Sequence, residues 1–214
     1  MEKTLFSPLV WNFYGINFSL LFLFFPLGVI IYLFSLWAKF KGEYPEKMII
    51  SYSLFTLLFF ALFALLPYFL GQKEYFLAVG LSGVIVSSII ASWQNKWNIW
   101  YMLESITPAI LFLSGIILLG MSITFGRVSY FIQTLFFLIA YLSVKLAKGY
   151  RSFNWYRSGK AGFLFLLPLS IILVLEAGLD FSLSNGLYWR SLLSAAGATA
   201  GSVLLFYRAR NIKK

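Results

Sequence analysis

Seven apolar runs separated by short polar breaks organise the chain: residues 10–38, 48–70, 75–93, 99–125, 128–144, 161–179 and 187–207. A helix needs about 20 mostly apolar residues to cross a bilayer core, so the pattern predicts an all-α, polytopic membrane helix bundle of about seven transmembrane helices and not a barrel. The breaks carry turn chemistry, as in Gly71-Gln72-Lys73-Glu74, Gln94-Asn95-Lys96, Gly126-Arg127 and the Ser182 to Gly186 stretch that follows Asp180. The first run is too long for a signal-peptide core and has no basic leader or cleavage site, so it reads as a retained helix. One transmembrane domain over residues 1–214 is expected.

Charge then orients the bundle. With seven spans and the amino terminus outside, all of the 17 basic residues except Lys3, Lys73, Arg127 and Arg190 fall on the inner side. The positive-inside rule therefore places the N-terminus outside and the C-terminus in the cytoplasm. The net charge of +10 is accounted for by inner loops, and a nucleic-acid partner is not expected. The longest polar break, 145–160, is basic and aromatic, and reads as a cytoplasmic loop lying along anionic headgroups. Trp and Tyr gather at the run ends, as Trp37, Trp93, Trp97 and Trp100 do, which is the pattern of an interfacial aromatic belt. Gly197 and Gly201 form a Gly-x-x-x-Gly pair that suits close packing of the last helix on a neighbour.

Composition limits the chemistry. Hydrophobic residues make up 61% of the chain and charged ones 11%, far too apolar for a soluble domain. Cysteine and histidine are both absent. Thiolate and imidazole metal sites are thereby excluded, no cofactor is expected, and proton transfer falls to carboxylates, Tyr, Lys or water.

The polar residues inside or beside the runs are the candidates. Glu104 and Glu176 are acids within apolar runs, where a charge near the midplane costs about 3 kcal/mol. Glu104 could instead snorkel or pair with Lys96, and Glu176 could reach headgroups near the outer end of its span. Arg127 could hold a lipid phosphate through a bidentate contact, or simply mark a helix end. Tyr14 could donate its hydroxyl to a lipid, or serve as a belt anchor.

With seven spans in this orientation, the chain resembles the prolipoprotein diacylglyceryl transferase family. Trp11-Asn12-Phe13-Tyr14-Gly15 is similar to the family's Trp-Tyr-Gly opening, and Gly80 and Gly83 fall on glycines of its His-Gly-Gly-Leu-Leu-Gly motif. From Gly83 an ungapped register reaches Glu104 at the family's acidic position and Pro108-Ala109 at its Ala-Pro-Ala element. Gln133 looks like the glutamine of His-Pro-Thr-Gln-Leu-Tyr-Glu, and Arg157 to Gly162 resembles Arg-Pro-Gly-Gln-Leu-Phe-Gly. Glu176 takes the glutamate of Arg-Phe-Leu-Ile-Glu-Phe-Phe-Arg. In the Gly-Arg-Ile-Gly-Asn signature Gly120 is kept, while Leu118 and Met121 replace the arginine and asparagine. Ala78 stands at the motif histidine, and Ile172 and Leu179 at two arginines of the sixth span. A shifted register sets Gly126-Arg127-Val128 on Gly-Arg-Ile instead.

The resemblance implies transfer of diacylglyceryl from phosphatidylglycerol to a lipobox cysteine, with phospholipid and lipoprotein signal peptides as partners and a bacterial-type plasma (inner) membrane as location. It makes Tyr14, Arg127 and Glu176 the catalytic candidates. Tyr14, Gly80, Gly83, Glu104, Gly120, Arg127, Gln133 and Glu176 are the expected substrate-binding set. Loss of the other polar positions equally suits a catalytically inactive relative that binds lipid or a protein partner. A small transporter is the third reading; it calls for more polar residues near the midplane than the runs offer.

Overall fold

The computed structural model describes residues 10–13, 16–19, 21–70, 76–153, 155–156, 158–184 and 189–210. Among these, seven α-helices follow a short two-stranded hairpin. They are α1 (Leu21–Phe40), α2 (Glu46–Phe69), α3 (Phe76–Asn95), α4 (Ile99–Phe125), α5 (Val128–Leu146), α6 (Phe163–Ser184) and α7 (Trp189–Arg210). Each lies on one of the seven apolar runs. Five of the helices, α1, α2, α4, α5 and α7, are long and apolar enough to cross a membrane among the described residues. The architecture is that of a helical, membrane-embedded protein.

The first run departs from expectation. Its opening residues form β1 (Val10–Phe13) and β2 (Ile16–Ser19), paired antiparallel with Val10 opposite Ser19 and Phe13 opposite Ile16. The sequence there alternates apolar and polar residues, as in Ile16-Asn17-Phe18-Ser19, the period-2 pattern of a strand. Helix α1 then keeps 20 residues, about 30 Å of rise and enough to span a hydrocarbon core.

The chain divides into two compact units. The first comprises 1–29 with 110–214, and the second 30–109.

In the second unit the buried residues repeat at helical spacing. Tyr32, Leu36 and Phe40 form the stripe of α1, and Ile49, Tyr52, Ser53, Thr56 and Phe60 that of α2. Val84, Ser87, Ser88 and Ala91 form the stripe of α3. In lipid, apolar burial alone gives no drive to associate, so packing and interhelical hydrogen bonds must hold such stripes together. Both are present. Tyr32 and Thr56 share a hydroxyl hydrogen bond between α1 and α2, and the Tyr52 and Ser88 hydroxyls join α2 to α3 at 3.0 Å. The glycines of α3 bring it still closer to α2. A Cβ on Gly83 would lie 2.6 Å from the Phe59 carbonyl oxygen and 2.8 Å from the Phe63 side chain.

The loop that ends α3 is a left-handed cap. Lys96 has φ 55°, and the Trp97 N–H donates to the Ser92 carbonyl at 2.9 Å, the bond of a Schellman motif. A lysine there carries a strain of about 1–2 kcal/mol that glycine lacks. Lys96→Gly should therefore raise stability by about 0.5–1 kcal/mol after the entropic cost of glycine, read as a higher midpoint in detergent unfolding.

In the first unit, α6 and α7 pack through the expected small residues. A Cβ on Gly197 would meet Leu173 at 3.1 Å, and one on Gly201 would meet the Ser170 hydroxyl at 2.6 Å. The segment predicted to lie along headgroups is folded: a 3₁₀ helix (Ala147–Ser152) leads into a cluster of Tyr150, Tyr156, Phe163 and Ala209. The Tyr150 and Phe163 rings stack at 4.8 Å. Arg208 Nη2 donates to the Ala161 carbonyl at 2.6 Å, and the Ser158 N–H donates to the Ala209 carbonyl at 3.3 Å, tying α7 to this cap.

Gly178 of α6 supplies a contrast, since nothing lies within 4 Å of the Cβ it would carry. Gly178→Ala should stabilise by about 0.5–1 kcal/mol through helix propensity alone, checked by the same unfolding midpoint.

Candidate functional site

Two of the candidate residues meet. Gln133 Nε2 of α5 donates to Glu176 Oε2 of α6 at 3.3 Å, and both side chains are half-buried. Gln133 belongs to the stripe that continues as Phe137, Ala140 and Val144, the buried face of α5. Glu176 stands one turn from Ile172 and from Leu179, both buried. Gln133 lies five residues after the start of α5 and Glu176 eight residues before the end of α6, so the pair sits about 8–12 Å from those helix ends. Helix α6 runs on to Ser184, past the residue-179 end of its apolar run, so Glu176 stands about two turns before the helix end.

Arg127 is the N-cap residue of α5, with extended backbone and an exposed side chain whose guanidinium lies 5.9 Å from the Tyr130 ring centroid. It therefore stands at the α5 terminus, on the side of the helix from which Gln133 is the sixth residue on. Tyr14, between the two strands, lies outside the described residues.

Glu104 belongs to the second unit, half-buried in the second turn of α4. Pro108 within that helix has no N–H for the Glu104 carbonyl, so the regular i to i−4 bond is missing at the acid. Gly80 and Gly83 serve close packing: Cβ atoms on them would collide with Phe60 and with Phe59 and Phe63 respectively. Gly120 is buried in α4, in the first unit. The expected binding set is thus divided between the units, and within it Gln133 and Glu176 are joined by a direct bond.

The apolar replacements are packed. Leu118 is 1% exposed, Met121 5%, Ile172 8% and Leu179 9%. Positions that are polar in the resembled family are here filled by close-packed hydrocarbon. In the second unit, hydroxyls that the sequence did not single out do the polar work of helix association. Their signal in the sequence is the helical spacing of Tyr52, Ser53 and Thr56 in α2 and of Ser88 and Ser92 in α3.

An aromatic cluster closes one end of the second unit. Tyr44 meets Phe40 edge-on at 5.5 Å and Trp97 at 5.0 Å, while Tyr52 meets Trp97 at 5.9 Å. The Tyr101 hydroxyl donates to Glu43 Oε2 at 2.5 Å. Burial raises the Tyr44 phenol above its usual range, and the adjacent Glu43 charge raises it further. Its neutral form is the one the fold favours, so this contribution is full at neutral pH and is lost as pH rises above about 10. Among protein-family models, curated proteins and solved structures, none matches this chain.

Proposed function

We propose that this chain is a diverged diacylglyceryl transferase-like protein of a bacterial-type plasma membrane, seven-spanning with its N-terminus outside, that handles phosphatidylglycerol at the Gln133–Glu176 pair. The observation that carries the reading is that contact, an acid and an amide joined between two largely apolar helices. Such a pair is expensive in lipid unless it is used. With neither cysteine nor histidine in the chain, Glu176 is the side chain suited to accept the proton of the incoming lipobox thiol. Gln133 would hold that carboxylate in place. Arg127, at the end of α5, would be the cation nearest in sequence for the departing glycerol phosphate.

A second reading is favoured by the burial of Leu118, Met121, Ile172 and Leu179. Each missing donor to a developing charge costs about 2.7–4 kcal/mol in the barrier, so an active centre at those positions would be very slow. On this reading the chain holds lipid without turning it over.

One experiment separates the two. Purified protein is given labelled phosphatidylglycerol and a lipobox peptide, and both incorporation of label into the peptide and retention of lipid on the protein are measured. Incorporation above a no-enzyme control supports transfer. Retention without incorporation overturns transfer and leaves the lipid-holding reading, and neither overturns both.

A further inference from the structure

Where α2 begins and α3 ends, the second unit contains a cleft of about 260 Å³. Its rim is polar, with Lys47, Ser51, Gln94 and Asn95, and its floor is apolar, with Phe55 and Ala91. Lys47 is the single charged residue among those that line it. Trp97 closes one side, held there by the left-handed cap at Lys96. Asn95 Nδ2 is engaged by the Ala91 carbonyl at 2.9 Å, which leaves its side-chain oxygen to accept.

The cleft changes character with depth. Lys47 and Asn95 stand within a residue of the ends of their helices, whereas Phe55 is nine residues into α2, about 13 Å along its axis. Beyond Phe55 the apolar surface continues. The rings of Phe55 and Phe59 lie 4.6 Å apart, and those of Phe59 and Phe63 6.1 Å apart, in one half-buried row down α2. The close approach at Gly83 seats α3 against this row. A cationic, hydrogen-bonding mouth at the level of the helix ends leads onto a hydrocarbon ramp inside the span.

We infer that this cleft is a binding site for an anionic glycerophospholipid, its phosphate at Lys47, its glycerol at Ser51, Gln94 and Asn95, and one acyl chain along Phe55, Phe59 and Phe63. The volume is slightly below the roughly 300–1,000 Å³ of small-molecule pockets, so it takes a headgroup while the chain lies outside it on the ramp. A soluble anion would gain nothing from the phenylalanine row, and a zwitterionic headgroup would set its own cation against Lys47. Both comparisons favour an anionic lipid. This site is separate from the α5–α6 pair and stands whether or not that pair is catalytic.

The test uses the full chain in an uncharged detergent. Dioctanoyl-phosphatidylglycerol is titrated while tryptophan fluorescence is followed, with dioctanoyl-phosphatidylcholine and glycerol 3-phosphate as comparison ligands. Saturable binding of phosphatidylglycerol is expected, tighter than that of either comparison ligand. Lys47→Gln should weaken it about five-fold, Lys47→Arg should restore it, and Trp97→Phe should remove most of the fluorescence change. The part of the signal that Trp97→Phe removes reads this cleft, which Trp97 lines, so that failure here is distinguishable from failure at α5–α6. Equal affinity for the zwitterionic lipid, equal affinity for glycerol 3-phosphate, or no loss in a folded Lys47→Gln protein would each overturn the assignment.

Discussion

Glutamine in place of Glu176 is expected to lower the rate of diacylglyceryl transfer by about 10²–10⁴-fold, the usual contribution of a positioned general base. The substitution is nearly isosteric, and an amide can still accept a hydrogen bond from Gln133 Nε2 across the 3.3 Å contact. Proton acceptance is lost while the helix contact is kept. Glu176→Leu provides the complement, because it leaves the Gln133 amide without this acceptor between two apolar helices. Interhelical hydrogen bonds in membranes average about 0.6 kcal/mol, so the leucine variant should be only mildly less stable. The prediction is therefore a split: both variants slow in labelled-lipid transfer to a lipobox peptide, with unfolding midpoints close to the parent. If Glu176→Gln transfers at the parental rate, Glu176 is a packing residue and the proton must go elsewhere.

Leucine at Gly83 should cost at least about 1–3 kcal/mol, the range for overpacked interiors, and is expected to abolish the native contact of α2 with α3. The reason is what the new Cβ would meet. The Phe59 carbonyl oxygen, 2.6 Å away, is backbone inside a helix and has no rotamer through which to retreat. Relief requires the helices to separate, which would stretch the Tyr52–Ser88 hydroxyl bond at 3.0 Å as well. Gly115→Ala is the matched control, since its Cβ would find only the Phe137 Cβ at an ordinary 3.7 Å. A detergent unfolding series in which Gly83→Leu and Gly115→Ala behave alike would refute the close-packing account of α3.

Much of the helix layout could be read from the sequence because apolar runs and turn residues report directly on what a bilayer demands. Residues 99–125 and the helix Ile99–Phe125 coincide. The first run departs from a helix over its opening residues, where Val10 and Ile16 satisfy a hydropathy window equally well in a strand, and the interspersed Asn12 and Asn17 make the alternation that argues for one. The polar pair was half legible. Glu176 stands out as an acid in an apolar run and Gln133 only through the family resemblance, and with 43 residues between them no periodicity links one helix to the other. The hydroxyls of Tyr32, Thr56, Tyr52 and Ser88 were passed over for another reason. Singly, each is an ordinary residue of a membrane helix, and its value exists only once its partner is known.

The tie between α7 and the aromatic cap fixes an order of events during synthesis. Arg208 and Ala161 are 47 residues apart, so the cap is made well before the side chain that fastens it. At about 5–20 residues per second, the Ala161 carbonyl waits roughly two to nine seconds for its donor. During that interval Tyr150, Tyr156 and Phe163 can gather, but Ala209, the remaining wall of their cluster, has not yet been translated. The last turn of α7 is thus the closing step in the maturation of a segment that the ribosome completed some fifty codons earlier, and a nascent chain arrested between them would carry that cap unlatched.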